Sequence, residues 1–353
     1  MKTAINQDEV RRANDARVMR ELMKGPLTRR ELQAATGLSW GGITNTVNRL
    51  TQAGFISEKR SGSRGCGRKP TLAAICEDNN YIIGIDVNHT GLTGCVTALN
   101  GSVISEYSAE ADFSSPAALL TCIEEFIHRI IAGHSNRRIL ALGVSMQGEV
   151  DTVNGISLYL PQCTGWENVP MRDILSEKFG MTVFVAHDPD CMLHAYMAGK
   201  DVKNAVLMRL DRSIGLAVSL NGDMLRGPGI LEAAHMVIDP TGPLCSCGRH
   251  GCLNAYVAGC ADTGAFDRLA GPLALTTHNL VQLFRPEVIV LAGALMERGG
   301  IFMDSFMENL RRISCHADRV RIETVCDARS AMRGAALTAA ESAVNALDIR
   351  ENM

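Results

Sequence analysis

No apolar run in this chain of 353 residues is long enough to cross a bilayer. The polar start, Met1 to Val10, lacks the apolar core of a secretory signal. Twelve cysteines without that signal do not make the disulfide framework of an exported domain. They are expected as reduced thiols in the cytoplasm, with no membrane insertion. The chain also has little net charge, −3 in all, but this near-balance conceals two unlike parts. Residues 1–70 hold 14 Lys and Arg against 6 Asp and Glu, whereas the remainder holds 21 against 32. A head of +8 on a body of −11 implies that only the head meets a polyanion.

Three of the cysteines stand together in Cys245-Ser-Cys-Gly-Arg-His-Gly-Cys252, ten residues after His235. Glycines between the thiols let the chain fold back. Cys245, Cys247, Cys252 and His235 can then converge as a Cys3His set, the tetrahedral preference of structural zinc.

The head has the pattern of a DNA-binding module. Val18, Met19 and Leu22 share one helical face, and Gly25-Pro26 breaks that helix. Thr28-Arg-Arg-Glu31 is a capping box that opens a second helix. Thr36-Gly37-Leu38 is a tight turn, and Ser39 can cap a third helix whose inner face is Ile43, Val47 and Leu50. Helix, glycine turn and helix at this spacing predict a helix-turn-helix. Trp40, Gly41, Thr44, Asn45 and Asn48 are the expected outer positions of the recognition helix, facing base edges. Trp40 could instead pack on the first helix. Gly41-Gly42 costs helix stability, which close approach to a DNA backbone would rationalise. Residues 54–59 and 71–75 are predicted strands around a basic loop, a wing. Its Arg64, Arg68 and Lys69 are candidate phosphate or minor-groove contacts.

From Tyr81 the pattern becomes α/β. Buried strands are expected at 82–87, 92–99, 103–107 and 139–144, with a hairpin turn at Asn100-Gly101 and a helix over 117–131. A second copy starts near Ala205, with strands 206–210 and 216–220, a turn at Asn221-Gly222, a helix around 273–283 and a strand at 288–291. The repeat implies duplicated α/β lobes around a ligand-binding cleft. The expected domains are 1–75, a winged helix-turn-helix, then 76–200 and 201–353, the two lobes.

These motifs together, from the winged helix ending in Gly67-Arg-Lys-Pro70 through Asp86 to Gly101, Gly165-Trp166, Glu232-Ala-Ala-His235 and the cysteine run to Pro286-Glu-Val-Ile-Val-Leu-Ala-Gly293, resemble the ROK family of repressors, open reading frames and sugar kinases. The resemblance implies an actin-like ATPase fold behind a winged helix, as in the family's transcriptional-repressor branch. It also implies operator DNA as partner, a sugar or sugar-phosphate effector, a homodimer or dimer of dimers, and scope for a regulatory protein partner. His235 matches the family's zinc ligand. Asp188 matches the base that deprotonates a sugar hydroxyl, and Glu232 a carboxylate that holds sugar hydroxyls.

Gln162, His187 and Asn254 stand where the pattern has Asn, Asn and Glu, so they complete the candidate ligand set with altered specificity. The phosphate turns depart further. Asn88-His89 and Asp211-Arg-Ser-Ile-Gly215 stand where bare glycine amides are needed, which predicts a protein that is not an enzyme, with Asp188 as a vestigial base. The alternative is a sugar kinase with an accessory DNA-binding head. An empty, vestigial cleft is a third outcome. The interval from Cys252 to Pro286 is short for the family.

Overall fold

The computed structural model describes residues 7–60, 71–226, 231–264, 266–298, 300–314, 319–327 and 329–346. The head begins with α1 (Gln7–Lys24), a two-residue strand β1 (Leu27–Thr28), α2 (Arg29–Thr36) and α3 (Trp40–Gln52). It closes with β2 (Ile56–Arg60) and β3 (Thr71–Ile75). The capping box forms as read: Glu31 N donates to Thr28 Oγ1 at 3.2 Å and Thr28 N donates to Glu31 Oε2 at 2.7 Å. Gly37 ends α2 at φ 68°, in the left-handed region that favours glycine. Ser39 Oγ accepts from Gly42 N and starts α3. Val18, Met19, Leu22, Leu32, Ile43, Val47, Leu50 and Phe55 are buried and form the head's core.

β1 is an addition to the expected pair of strands. It pairs antiparallel with β3, giving the order β1-β3-β2. Two residues carry too little periodicity to be seen in a sequence. The wing loop with Arg64, Arg68 and Lys69 lies outside the described residues.

The body follows with β4 (Asn80–Asn88), β5 (Gly91–Ala98), β6 (Val103–Ala109), α4 (Pro116–Ala132) and β7 (Arg138–Met146). Short elements come next: β8 (Glu149–Asp151), β9 (Ile156–Tyr159), β10 (Glu167–Val169), α5 (Met171–Phe179), β11 (Thr182–His187) and α6 (Asp188–Met197). The second half holds β12 (Ala205–Leu210), β13 (Ile214–Leu220), β14 (Asp223–Met224), α7 (Leu253–Thr263), α8 (Asp267–Phe284) and β15 (Val288–Ala292). A 3₁₀ turn (Ala294–Arg298), α9 (Gly300–Ile313), β16 (Arg321–Val325) and α10 (Ser330–Asn345) complete it.

The duplication read from the sequence has a topological counterpart. One sheet runs β11-β7-β4-β5-β6 and the other β14-β13-β12-β15-β16. In each, the first strand of a hairpin is central: β4 pairs antiparallel with β5 and parallel with β7, and β12 pairs antiparallel with β13 and parallel with β15. Central strands covered on both faces read as unbroken apolar runs, and β4 is buried at every position. Packing is close enough to require glycine at Gly94, where a Cβ would come within 2.9 Å of the Phe126 ring on α4.

Two compact units emerge. One comprises residues 1–146, 155–185 and 335–353, the other 147–154 and 186–334. These limits run differently from the expected 1–75, 76–200 and 201–353. The head groups with the first lobe because it is pinned to it. Asn80 Nδ2 donates to Gly54 O at 2.9 Å, Cys76 N donates to Phe55 O at 2.9 Å, and the Arg138 guanidinium lies 5.4 Å from the Phe55 ring centroid.

Within the head, α1 and α3 are tied by an ion pair. Arg49 on α3 donates through Nε and a terminal nitrogen to the Asp15 carboxylate on α1, and Asp15 is only 2 % exposed. Burial pushes the Asp15 carboxyl above its ordinary value, and Arg49 opposes that shift. Arg49→Met should therefore destabilise the head by about 3 kcal/mol at neutral pH, by leaving a buried charge uncompensated. A folded-state value above the unfolded one penalises folding at high pH, so the deficit should shrink as pH falls through the raised value. Chemical denaturation of the variant at neutral and mildly acidic pH checks both the size and the sign.

Candidate functional site

The candidate recognition face is built by α3. Trp40 is 51 % exposed at its first turn, and Gly41, Asn45 and Asn48 are exposed along the same side. Thr44 differs from expectation. It is half-buried and its hydroxyl oxygen is shielded, because at 3.6 residues per turn position 44 borders the buried row of Ile43 and Val47. The two glycines have different reasons. A Cβ at Gly42 would sit 3.3 Å from the capping Ser39 Oγ, whereas a Cβ at Gly41 would meet nothing within 4 Å. Nothing inside the described protein therefore requires glycine at 41. Asn48 is also less free than the sequence suggested. Its Oδ1 accepts from Arg29 at 2.8 Å, and Arg29 forms a two-bond pair with Glu58, each at 2.9 Å. Arg29 was not among the residues expected here; its separation of 19 and 29 positions from those partners left no local signal.

The cysteine run converges as its spacing implied. The ligand atoms of His235, Cys245, Cys247 and Cys252 lie within 4.8 Å of one another. Cys245 Sγ is 3.6 Å from His235 Nδ1, and Cys247 Sγ is 3.6 Å from Cys252 Sγ. Metal–sulfur bonds of about 2.3 Å set at tetrahedral angles separate sulfurs by about 3.8 Å, so these separations fit ligands around one ion and exceed a disulfide bond. The backbone makes the fit. Gly248 and Gly251 adopt φ of 82° and 69°, and a Cβ at Gly251 would collide with the Asp239 carbonyl oxygen. Cys245 N donates to Arg249 O at 2.8 Å and Gly248 N to Cys245 O at 2.9 Å, closing the knuckle. Cys252 stands at the N-cap of α7, and burial together with the neighbouring Cys247 and Cys245 pushes its thiol up to about 11. Glu232 Oε2 lies 3.8 Å from His235 Nε2, on the side of the ring away from the sulfurs. Its carboxylate can orient the imidazole of a metal-bound histidine.

Asp188 and His187 meet at the junction of β11 and α6. Both are buried. His187 Nε2 is 3.4 Å from Asp188 Oδ1, and burial together with Arg209 pushes the imidazole down to about 3, so it is neutral. Asp188 Oδ2 is paired with the Arg209 guanidinium, at the end of β12. The Arg209 Nε then donates to Asp211 Oδ2 at 2.7 Å, and Asp211 Oδ1 accepts from Ala294 N at 2.7 Å. One guanidinium thus joins the candidate base to the second phosphate turn. Arg209 was missed in the sequence, where it is one polar residue in a strand.

The first turn is closed by its own side chain. Asn88 Oδ1 accepts from Thr90 N at 2.9 Å, and Asn88 Nδ2 donates to Asp86 Oδ2 at 2.7 Å. Ser145 Oγ donates to Asp86 Oδ1 at 2.6 Å. His89 is exposed, so Asn88 rather than His89 occupies the turn amide.

Of the remaining ligand candidates, Glu232 is exposed and Gln162 is partly exposed. Asn254, on the first turn of α7, is tied to the Glu232–His235 segment through its N donating to Ala234 O at 2.9 Å. Its side-chain Oδ1 is buried and accepts no hydrogen bond among the described residues.

The ROK family model matches residues 82–263, more than half of the chain. The xylose repressor of Bacillus spizizenii is 24 % identical over 335 residues, covering 85 % of this chain and 87 % of the relative. The N-acetylglucosamine repressor of Escherichia coli O157:H7 is 25 % identical over 383 residues, covering 94 % and 93 %. Among solved structures, a ROK family transcriptional regulator described as a homologue of the E. coli MLC protein superposes with a TM-score of 0.81 at 21 % identity, covering 95 % of this chain and 97 % of that one. A ROK hexokinase from Thermus thermophilus superposes at 0.64 and 23 % identity, covering 97 % of its own length but 73 % of this chain.

A cluster with these donors should retain its ion through purification. Elemental analysis should give about one metal ion per chain, as a single four-ligand site requires. Cys247→Ser should lower that content and the thermal stability together, because ligand binding energy is folding energy here. Metal-free protein of undiminished stability would disprove the assignment.

Proposed function

The chain belongs to the ROK family, and from that premise we propose that it is a sugar-responsive DNA-binding transcriptional regulator, a repressor of carbohydrate uptake or metabolism genes. The observation that carries this reading is the helix-turn-helix head, with an outer α3 face kept bare at Gly41, on a chain that aligns with ROK repressors over most of its length. A major groove admits a helix whose exposed positions are small or amide-bearing, and Gly41, Asn45 and Asn48 supply them beside Trp40. Arg64, Arg68 and Lys69 add charge for phosphate contacts. A homodimer would set two recognition helices on two half-sites of a palindromic operator. The pinning of the head to the first lobe through Gly54, Asn80, Phe55 and Arg138 gives an effector a mechanical route to the DNA-binding helices.

The Cys3His set suits zinc by its donors, and with four protein ligands the ion has a structural role. Candidate effector ligands are Gln162, His187, Asp188, Glu232 and Asn254. Catalysis is absent from this reading, although the family includes sugar kinases. Asp188 is the feature that favours a kinase, and its pairing with Arg209 counts against it. A general base must be free to take a hydroxyl proton, and a carboxylate held by a guanidinium is a poor one. Phosphoryl transfer also needs backbone amides open to phosphate oxygens. Asn88 already satisfies the Thr90 amide of the first turn, and Asp211 takes up the Ala294 amide after β15.

Gly41→Ala separates DNA binding from folding. In open space on a helix the added methyl should raise stability by up to about 1 kcal/mol. The same methyl should weaken binding to the DNA upstream of the protein's own gene, measured by fluorescence anisotropy. A more stable variant with unchanged affinity would show that α3 does not enter DNA closely. Sugar-dependent ATP turnover should be undetectable in a coupled assay. Turnover that disappears in Asp188→Asn would promote the kinase reading.

A further inference from the structure

The Asp188 cluster is rich in acceptors, and the Arg209 guanidinium at its centre is already paired. Arg209 gives a terminal nitrogen to Asp188 and its Nε to Asp211. The adjoining backbone donor, Ala294 N, is taken by Asp211 Oδ1. With His187 neutral, two carboxylates face one guanidinium and the cluster carries a net charge of −1. The first turn of α6 would ordinarily draw an anion to its amide end, but it bears Asp188 and Asp190. Beside the metal cluster, Glu232 adds a carboxylate, and the buried Asn254 Oδ1 is an acceptor with no donor among the described residues.

Such a set of acceptors around Asp188 matches the hydroxyl donors of a polyol. A phosphate ester brings only charge of the same sign and further acceptors. Hydrogen bonding to a neutral hydroxyl leaves the ion network intact, whereas a dianion would have to displace Asp211 from Arg209 and from Ala294 N. Resting on the sugar-sensor reading above, we propose that Arg209 and Asp211 are specificity-determining residues that make this site selective for an uncharged sugar and against its phosphorylated form.

Calorimetric titration of the full chain with D-xylose and N-acetylglucosamine, the sugars in the relatives' names, and with xylose 5-phosphate and N-acetylglucosamine 6-phosphate tests this. At least one parent sugar should bind, and its ester should bind at least about tenfold more weakly, as expected for a like-charge approach in a partly buried site. Inorganic phosphate should not compete with the sugar. Asp211→Asn, which keeps the shape and removes one negative charge, should narrow the gap between sugar and ester severalfold. Arg209→Gln leaves the buried Asp188 carboxylate without its cation, so Asp211→Asn is the informative variant if Arg209→Gln fails to fold. An ester that binds as tightly as its parent, or a gap that Asp211→Asn leaves unchanged, overturns the proposal while the sugar-sensor reading stands. Binding of neither member of either pair overturns both.

Discussion

The Arg209 guanidinium decides the chemistry open to the second lobe. It reaches from the end of β12 to Asp188 at the start of α6 and to Asp211 in the turn before β13. Asp211 in turn holds the amide after Gly293 at the end of β15. A strand, a helix start and two turns are thereby fixed to one another by a half-buried, multiply bonded cation. A network of this kind gains from low local dielectric because every partner is satisfied. Its consequence is that the Asp188 and Asp211 carboxylates are both held as acceptors of one guanidinium.

In each lobe a polar side chain takes up a backbone amide. In the first, an asparagine amide fills the turn and bridges to Asp86, supported by Ser145. In the second, the Asp211 carboxylate is held between Arg209 and the Ala294 amide after β15. The cluster of His235, Cys245, Cys247 and Cys252 lies in the same lobe. Its knuckle fixes the segment bearing Glu232 and the start of α7 bearing Asn254, so the candidate sugar-binding groups hang from a rigid support.

The head shows how little separates a stable module from one shaped for a partner. Its core, caps and turn all follow local rules, and Gly41 is the position where local stability is forgone without a neighbour to explain it. The contacts of Gly54, Phe55, Asn80 and Arg138 make the head continuous with the first lobe rather than a bead on a linker.

The sequence by itself determined what depends on near neighbours. The capping box at Thr28, the turn at Gly37, the hairpin turns at Gly101 and Gly222, the buried strands and the convergence of three cysteines are set by spacings of a few residues, and His235 is only ten residues from the first of them. Those signals made the duplicated α/β body and the four-ligand cluster legible. The tertiary structure alone decided which polar groups meet across long separations: Arg49 with Asp15, Arg29 with Asn48 and Glu58, Arg209 with Asp188, and Asp211 with Ala294. It also turned Thr44 toward the protein and gave the first turn to Asn88 instead of His89. A side chain's type fixes what bonds it can make, but only the packed chain fixes which partner arrives, because that depends on where distant strands and helix ends are brought together.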